Sequence, residues 1–368
     1  MKILFITPTG GRTGSEMMLW YLIKYIKGNI ETIIYSRQNG ELFAKDSPAN
    51  QTFINKTRKG FLYKIYEGIY YKLFKHTPEI SKIKRIHQSV NPNFWYLNTM
   101  MSPDIVQLAI TLNVKYFLHV HELITIYDEL REEPFRTQLQ NATFIICCSS
   151  IVQKRINQMG FKNTILLHEY IDTNQIKIGQ NREVMRRKYN IPENSFVWLM
   201  SGSMNLRKGY DLIPDLLVNM PKNSYFVWLG SKKDAGLNYY IEQRVQLENL
   251  NFIYLGSHSS DYYDFFNIAD GFVLTAREDP FPLVMIEAAY LQKPIVGFNS
   301  GGIAEFVLDG MGKVVDSFNP KDLGDAMIEV EMGKVKIDKE ILRNRALEFD
   351  VKNQIGKWEQ LFSNLNLK

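Results

Sequence analysis

Twice in its 368 residues the chain sets up the same local pattern: a short β-branched and aromatic run, a glycine-rich turn, then helical periodicity. The first is Lys2–Thr7, followed by Thr9-Gly10-Gly11-Arg12-Thr13-Gly14, where Thr13 and Glu16 have the spacing of a capping box. The second is Phe196–Met200, followed by Ser201-Gly202-Ser203-Met204-Asn205-Leu206-Arg207-Lys208-Gly209 and a helix from about Tyr210. Further strand-like runs follow each opening: Thr32–Tyr35, Phe94–Asn98, Val114–Val120 and Ala142–Cys148, then Tyr225–Leu229, Phe252–Leu255, Gly271–Leu274 and Pro294–Gly297. Strands alternating with helices at this spacing require a parallel sheet covered on both faces. A restart requires two such sheets. The fold class is therefore α/β, with two Rossmann-like domains. The boundary falls near Tyr170–Gln180, where periodicity lapses, giving domains 1–172 and 173–350 and a last helix within about 351–368. In such sheets ligands sit beyond the carboxyl ends of the strands.

Composition narrows the class further. Hydrophobic residues make up 45% and charged residues 23%, which excludes a disordered or collagen-like chain. The two cysteines, Cys147 and Cys148, are adjacent and cannot form a disulfide framework, so they read as buried strand residues in a reducing cytoplasm. Ile3–Ile6 is too short for a signal-peptide core, and no window approaches the roughly 18 apolar residues of a membrane span. The expected location is cytoplasmic, at most peripheral on the inner face of the cell membrane.

The net charge of +5 is unevenly spread: residues 56–85 hold nine basic and two acidic residues. Within them Phe61-Leu62, Ile65-Tyr66, Ile69-Tyr70 and Leu73-Phe74 recur every four residues, with Lys59, Lys64, Lys72 and Lys75 largely between the pairs. This is an amphipathic helix with basic flanks. Two readings stay open: a membrane-surface or lipid-linked-acceptor contact through residues 59–75, or a helix docked on its own domain or on a second subunit. Nucleic-acid binding is not expected, because no reading module accompanies the charge.

Three segments of the second half look like parts of one anion and sugar site. The loop Gly202–Gly209 can aim backbone N–H groups and the cations Arg207 and Lys208 at a diphosphate, although adjacent basic residues are usually a solvated loop. Asp279, in a loop, and Glu287, inside a helix over Leu283–Leu291, could accept hydrogen bonds from sugar hydroxyls, or could simply be solvated. Ser300-Gly301-Gly302 permits close backbone approach, to a ligand or within a tight turn.

Taken together, "GSMNLRKGYDLI", "YLGSHSSDYYDFFNIADGFVLTAREDPFPLVMIEAAYLQKPIVGFNSGGIAEFV" and "GMGKVV" resemble the C-terminal half of retaining glycosyltransferases of the GT-B fold, family 4. That resemblance implies two Rossmann-like domains facing each other across a cleft, the first for the acceptor and the second for a nucleotide-sugar donor. It implies that Arg207 and Lys208 hold the donor diphosphate and that Glu287 hydrogen-bonds the ribose. Asp279 would touch the donor sugar, a departure from the family's Glu. Gly202 and the backbone around Phe281, Pro282 and Leu283 would line the phosphates and sugar, and Gly256 and Ser257 would lie near the base. "FITPTGGRTGSEMMLWYL" resembles the family's opening turn, with Gly10, Gly11 and Gly14 allowing close approach to donor and acceptor. "YFLHVHELI" resembles the strand whose His faces the donor sugar, here His121, leaving His119 unassigned. The last helix would cross back to the first domain. No metal and no cofactor beyond the nucleotide-sugar co-substrate are expected. The implied reaction is retaining transfer of a sugar to a hydroxyl on a glycan, lipid-linked or protein acceptor, in bacterial polysaccharide or glycoconjugate synthesis. The rivals are a nucleotide-sugar epimerase of the same fold and a catalytically silent binding subunit. A dinucleotide oxidoreductase is excluded, because Gly10, Gly11 and Gly14 do not form G-x-G-x-x-G.

Overall fold

A computed structural model describes residues 1–56, 60–123 and 132–365; Lys59, at the start of the basic segment, lies outside them. The chain divides into two compact units, Met1–Glu169 with Gln354–Lys368, and Tyr170–Asn353.

The first unit is built on a seven-stranded parallel sheet in the order β3-β2-β1-β4-β5-β6-β7. Its strands are β1 Lys2–Thr7, β2 Glu31–Ser36, β3 Gln51–Ile54, β4 Phe94–Asn98, β5 Tyr116–Val120, β6 Phe144–Cys147 and β7 Thr164–Leu166. In β1 the run Ile3-Leu4-Phe5-Ile6 is buried throughout, the uninterrupted apolar pattern of a strand covered on both faces. Cys147 and Cys148 are both buried and free, and burial pushes the Cys147 thiol up to about 12. The final helix, Val351–Leu365, sends Trp358 and Phe362 into this unit's core. Trp358 meets Tyr96 and His119 at centroid distances of 6.1 and 5.5 Å, and Phe362 meets Phe117 at 5.9 Å.

The second unit has a six-stranded parallel sheet in the order β10-β9-β8-β11-β12-β13. The strands are β8 Phe196–Ser201, β9 Ser224–Leu229, β10 Phe252–Gly256, β11 Gly271–Leu274, β12 Ile295–Phe298 and β13 Gly312–Val315. Both sheets thus reverse direction beside their first strand, between β1 and β4 and between β8 and β11. Crevices form at such switch points, beyond the strands' carboxyl ends.

Several expectations are corrected. The strands β3, β7 and β13 escape the strand reading because they are short edge strands with no fully buried residue, so hydrophobic patterning is weak there. The helix expected from about Tyr210 is a 3-10 turn, Tyr210–Leu212, before a short helix Ile213–Leu217 with Pro214 in its first turn. Thr13 does stand at a helix N-cap, but no capping box forms. Glu16 turns into the core, 2% exposed, where it accepts hydrogen bonds from Thr13, Thr7 (3.1 Å) and Ser15 (2.8 Å). The segment Phe61–Phe74 is a helix as expected, yet none of its residues is buried.

Candidate functional site

In the second unit, the loops after β8 and β11 meet at the switch point. Thr275, just past β11, donates its hydroxyl to the Lys208 carbonyl at 2.7 Å, and Arg277 N–H donates to the Arg207 carbonyl at 2.9 Å. This contact leaves no room for a side chain at Gly209: a Cβ there would stand 2.1 Å from the Thr275 carbonyl, and its φ is +73°. Asn205 Oδ1 accepts from the Lys208 N–H at 2.9 Å and fixes the loop's last turn. Arg277 donates to Asp211 through two bonds of 2.7 Å and to the Leu206 carbonyl at 2.6 Å; the bonds it donates to Asp211 raise its pKa further.

The two loops therefore hold Lys208 against Asp279, and the two side chains form a largely buried ion pair. Residues 71 positions apart in sequence are brought into direct contact. Arg207 beside them is exposed and donates to the Glu278 carbonyl at 3.0 Å. The Asp279 backbone is clamped by the glycine loop, its N–H on the Ser300 carbonyl at 2.9 Å and its carbonyl taking the Gly302 N–H at 3.1 Å. A Cβ on Gly302 would stand 2.4 Å from the Pro280 carbonyl, so here the tandem glycine serves loop-to-loop approach.

Glu287 lies in the second turn of the helix Leu283–Tyr290 and is 8% exposed. Tyr263 and Tyr262 donate hydroxyls to it at 2.9 and 3.3 Å, and Tyr262 also meets Ser201, the last residue of β8, at 2.8 Å. Pro282 is that helix's N-cap residue. Phe281 is turned inward against Phe349 and Phe306, so whatever this segment offers a ligand comes from its backbone. Gly202 takes φ +151°, and its carbonyl accepts from the Trp228 indole at 2.8 Å. Gly256 ends β10, followed by exposed Ser257 and by His258, whose ring meets the Leu255 carbonyl at 2.8 Å and Asp261 at 3.0 Å. Tyr262, Tyr263 and Thr275 were not singled out by the sequence; the adjacent tyrosines at the start of a helix, Tyr262–Ile268, were the available signal.

The first unit gathers a second polar group at its own switch point. His121 Nδ1 lies 2.6 Å from Glu169, and Nε2 lies 2.9 Å from Asn98 Oδ1. Asn98, the last residue of β4, donates in turn to Thr7 (3.3 Å) and to the Ser15 carbonyl (3.2 Å). Burial alone would lower the His121 pKa, but the hydrogen bond and charge of Glu169, joined by Glu122 and Glu16, outweigh it and raise it. Both ring nitrogens face acceptors, the Glu169 carboxylate and Asn98 Oδ1, an arrangement that favours the doubly protonated ring. Its neighbour His119, centroids 3.8 Å apart, is held neutral by burial and by the His121 charge, with its Nδ1 2.5 Å from the Tyr96 hydroxyl. Burial raises the pKa values of Glu16 and Glu122. Of the glycines in the opening turn, Gly10 is met by Gly40, whose own Cβ would stand 2.1 Å from the Gly10 carbonyl carbon, while Gly14 has nothing within 4 Å. The close approach at Gly10 is thus made by backbone.

Among the described residues, His121, Cys148 and Glu169 form one group with ligand atoms within 4.8 Å of one another. It suits a metal poorly: burial, then the Glu169 charge, keeps the Cys148 thiol protonated, and a metal needs the thiolate.

Residues 181–347 match the protein family described as "Glycosyl transferases group 1". An uncharacterized glycosyltransferase of Methanocaldococcus jannaschii is 27% identical over 199 residues, 53% of this chain and 52% of its own. The O-antigen biosynthesis glycosyltransferase WclY of Escherichia coli is 24% identical over 205 residues, 54% of this chain and 55% of its own. The chain thus spans about half the length of the curated relatives it matches. Among solved structures, Anabaena HepE in complex with UDP and glucose superposes with a TM-score of 0.81 at 19% identity, covering 99% of each chain. The sucrose-phosphate synthase of Thermosynechococcus elongatus gives 0.77 at 16% identity, covering 100% of this chain and 99% of the other. Two parallel Rossmann-like sheets, alike over their whole length to these structures, give the chain the GT-B fold, and its second sheet lies within the segment that matches the glycosyl transferases group 1 family.

Proposed function

We propose that the protein is a retaining, metal-independent glycosyltransferase that moves a sugar from a nucleotide-diphosphate sugar to an acceptor hydroxyl, in bacterial polysaccharide or glycoconjugate synthesis. The observation that carries this reading is the Lys208–Asp279 pair at the carboxyl ends of β8 and β11, with Arg207 exposed beside it and Glu287 on the following helix. A leaving diphosphate develops negative charge as the sugar develops positive charge. Fixed cations aimed at the diphosphate act where electrostatic stabilisation contributes most. Lys208 and Arg207 are assigned to the diphosphate, Asp279 to hydroxyls of the donor sugar and Glu287 to the ribose. The HepE complexes contain UDP, UDP with glucose, or UDP-glucose, and this supports a uridine nucleotide as the first donor to try. His121, its pKa raised by the neighbouring Glu169, is the first unit's catalytic candidate.

The acceptor belongs to the glycan, lipid-linked or protein class. WclY is named for O-antigen biosynthesis and LpsE of Rhizobium meliloti for lipopolysaccharide core biosynthesis, which supports a glycan or lipid-linked acceptor. Two buried free thiols suit a reducing cytoplasm.

The test is thermal unfolding of the purified protein against UDP-, GDP- and other nucleotide sugars, because a ligand of the folded state raises apparent stability. One base and one sugar should raise the midpoint. In Glu287→Gln the nucleotide's affinity should fall by about tenfold, the scale of one lost hydrogen bond to a charged group. No shift with any nucleotide sugar in folded protein would overturn the reading.

A further inference from the structure

The helix Phe61–Phe74 carries a large apolar surface that its own unit does not use. Tyr63, Glu67 and Tyr70 form its inward stripe; they are half-buried, and Tyr70 donates to Ser81 of the next helix at 2.7 Å. Tyr63 and Glu67 also line a cavity of about 410 Å³ shared with Pro8, Arg37, Glu79 and Met101. The inward stripe is thus committed to polar neighbours. At about 100° per residue, Phe61, Ile65, Ile69, Leu62, Leu73 and Tyr66 fall within one outward arc of about 140°. Their exposures run from 43% at Ile65 to 81% at Leu62. A monomer in water rarely leaves so contiguous an apolar face uncovered.

Charge decides what covers it. Lys72 falls inside the arc, Lys64 lies near one border and Lys75 is the left-handed residue that ends the helix; all three are exposed. The next helix, Pro78–Val90, adds exposed Lys84 and Arg85. The outward arc holds no acidic residue, since Glu67 is on the inward stripe. A second copy docking face to face would set these lysines against themselves. A surface of anionic lipid instead takes the aromatic and aliphatic side chains at the depth of the headgroups and the lysines at the phosphates. No helix among the described residues is long and apolar enough to cross a membrane, so attachment would be in the plane of the surface.

We propose that the outward face of Phe61–Phe74 seats the protein on an anionic lipid surface. The inference deepens the transferase reading by naming where the enzyme meets its acceptor, and it stands on an observation independent of the donor residues.

The experiment is co-sedimentation of the full chain with vesicles of phosphatidylcholine alone and of phosphatidylcholine with one-third phosphatidylglycerol, at low and high salt. Binding should favour the anionic vesicles by about tenfold or more and weaken as salt rises. Ile65→Asp with Ile69→Asp should reduce vesicle binding by at least about tenfold. Because both side chains are exposed, the unfolding midpoint should stay within a few degrees. Lys64→Glu with Lys72→Glu should abolish the preference for anionic lipid. Equal binding by the Ile65/Ile69 variant, or no binding to either vesicle, would overturn the proposal. So would a concentration-dependent dimer that this variant dissolves, which would assign the face to a second copy. Nucleotide stabilisation measured on the unaltered chain separates the two readings: vesicle binding without a nucleotide response overturns the transferase alone, and the reverse overturns the lipid contact alone.

Discussion

The two switch points solve the same topological problem with different materials. In the second unit the polar side chains stand at the rim of the sheet, and the loops that carry them are stitched together mainly by backbone, Arg277 to Arg207 and Asp279 to Ser300 and Gly302, with the Thr275 hydroxyl on the Lys208 carbonyl. Its cation and carboxylate satisfy each other. In the first unit the corresponding group is sunk into the fold, with Glu16, Thr7, Asn98, His121 and Glu169 linked through side chains and Glu122 held on the His121 N–H. A rim pair can exchange its partner for a ligand at modest cost. A buried network is expensive to disturb, because each group left unpaired keeps its desolvation penalty. The second site should therefore reveal itself in turnover and the first in stability.

The largest effect should come from Lys208→Ala. If the lysine serves a developing phosphate charge, turnover should fall by about 100- to 1000-fold. The same change leaves Asp279 unpaired and should cost about 1–3 kcal/mol of stability. Adding Asp279→Asn should recover much of the stability and none of the turnover, as read by denaturant unfolding and by product formation. Recovery of both would make the pair structural and erase the contrast between the sites.

An intermediate effect should come from the first unit and depend on pH. The folded pKa of His121 is raised, so the stability it contributes is full below its unfolded value of about 6.5 and is lost as pH rises through the folded value. The lowered His119 works in the opposite sense until about pH 7.5, where the unfolded histidine is neutral as well, and Lys293, lowered to about 8, opposes it above that. The His121 contribution is therefore read as the difference in slope between the parent and a variant that lacks the Glu169 charge. In Glu169→Gln the protein should be less stable near pH 6.5, by a few degrees, and the downward slope that His121 contributes should be lost. An unchanged slope would remove Glu169 as the holder of the His121 charge.

The smallest effect should be at Gly14. Its Cβ would meet nothing within 4 Å and its φ is not positive, so Gly14→Ala should stay within about 0.5 kcal/mol of the parent. Lost nucleotide stabilisation in a folded Gly14→Ala protein would assign that open space to a ligand.

How much of this was legible follows the same contrast. The double β–turn–α opening and the buried runs of β1 and β8 could be read because both faces of such strands are apolar, and Lys208 and Asp279 could be singled out because their loops are dense in charge, glycine and proline. The first unit's network could not. His121 and Glu169 are 48 positions apart, and nothing in "LLHEY" marks the glutamate as a partner. Glu16 had the spacing of a capping residue, yet the core beneath it offered Thr7 and Ser15 as donors, and tertiary contact overrode the local signal. Likewise the exposure of Phe61–Phe74 could not be told from a docked helix by periodicity, which is identical in both cases.

The route of Val351–Leu365 into the first unit has a consequence for synthesis. A ribosome delivers all seven strands of that sheet by residue 166, but Trp358 and Phe362, which cover Tyr96, Phe117 and His119, emerge only after the whole second unit. At about 5–20 residues per second that interval is on the order of ten seconds or more. During it the nascent sheet shows aromatic surface to chaperones and to neighbouring chains. The unit begun first is therefore sealed last, and the one begun second has all its residues in hand before it.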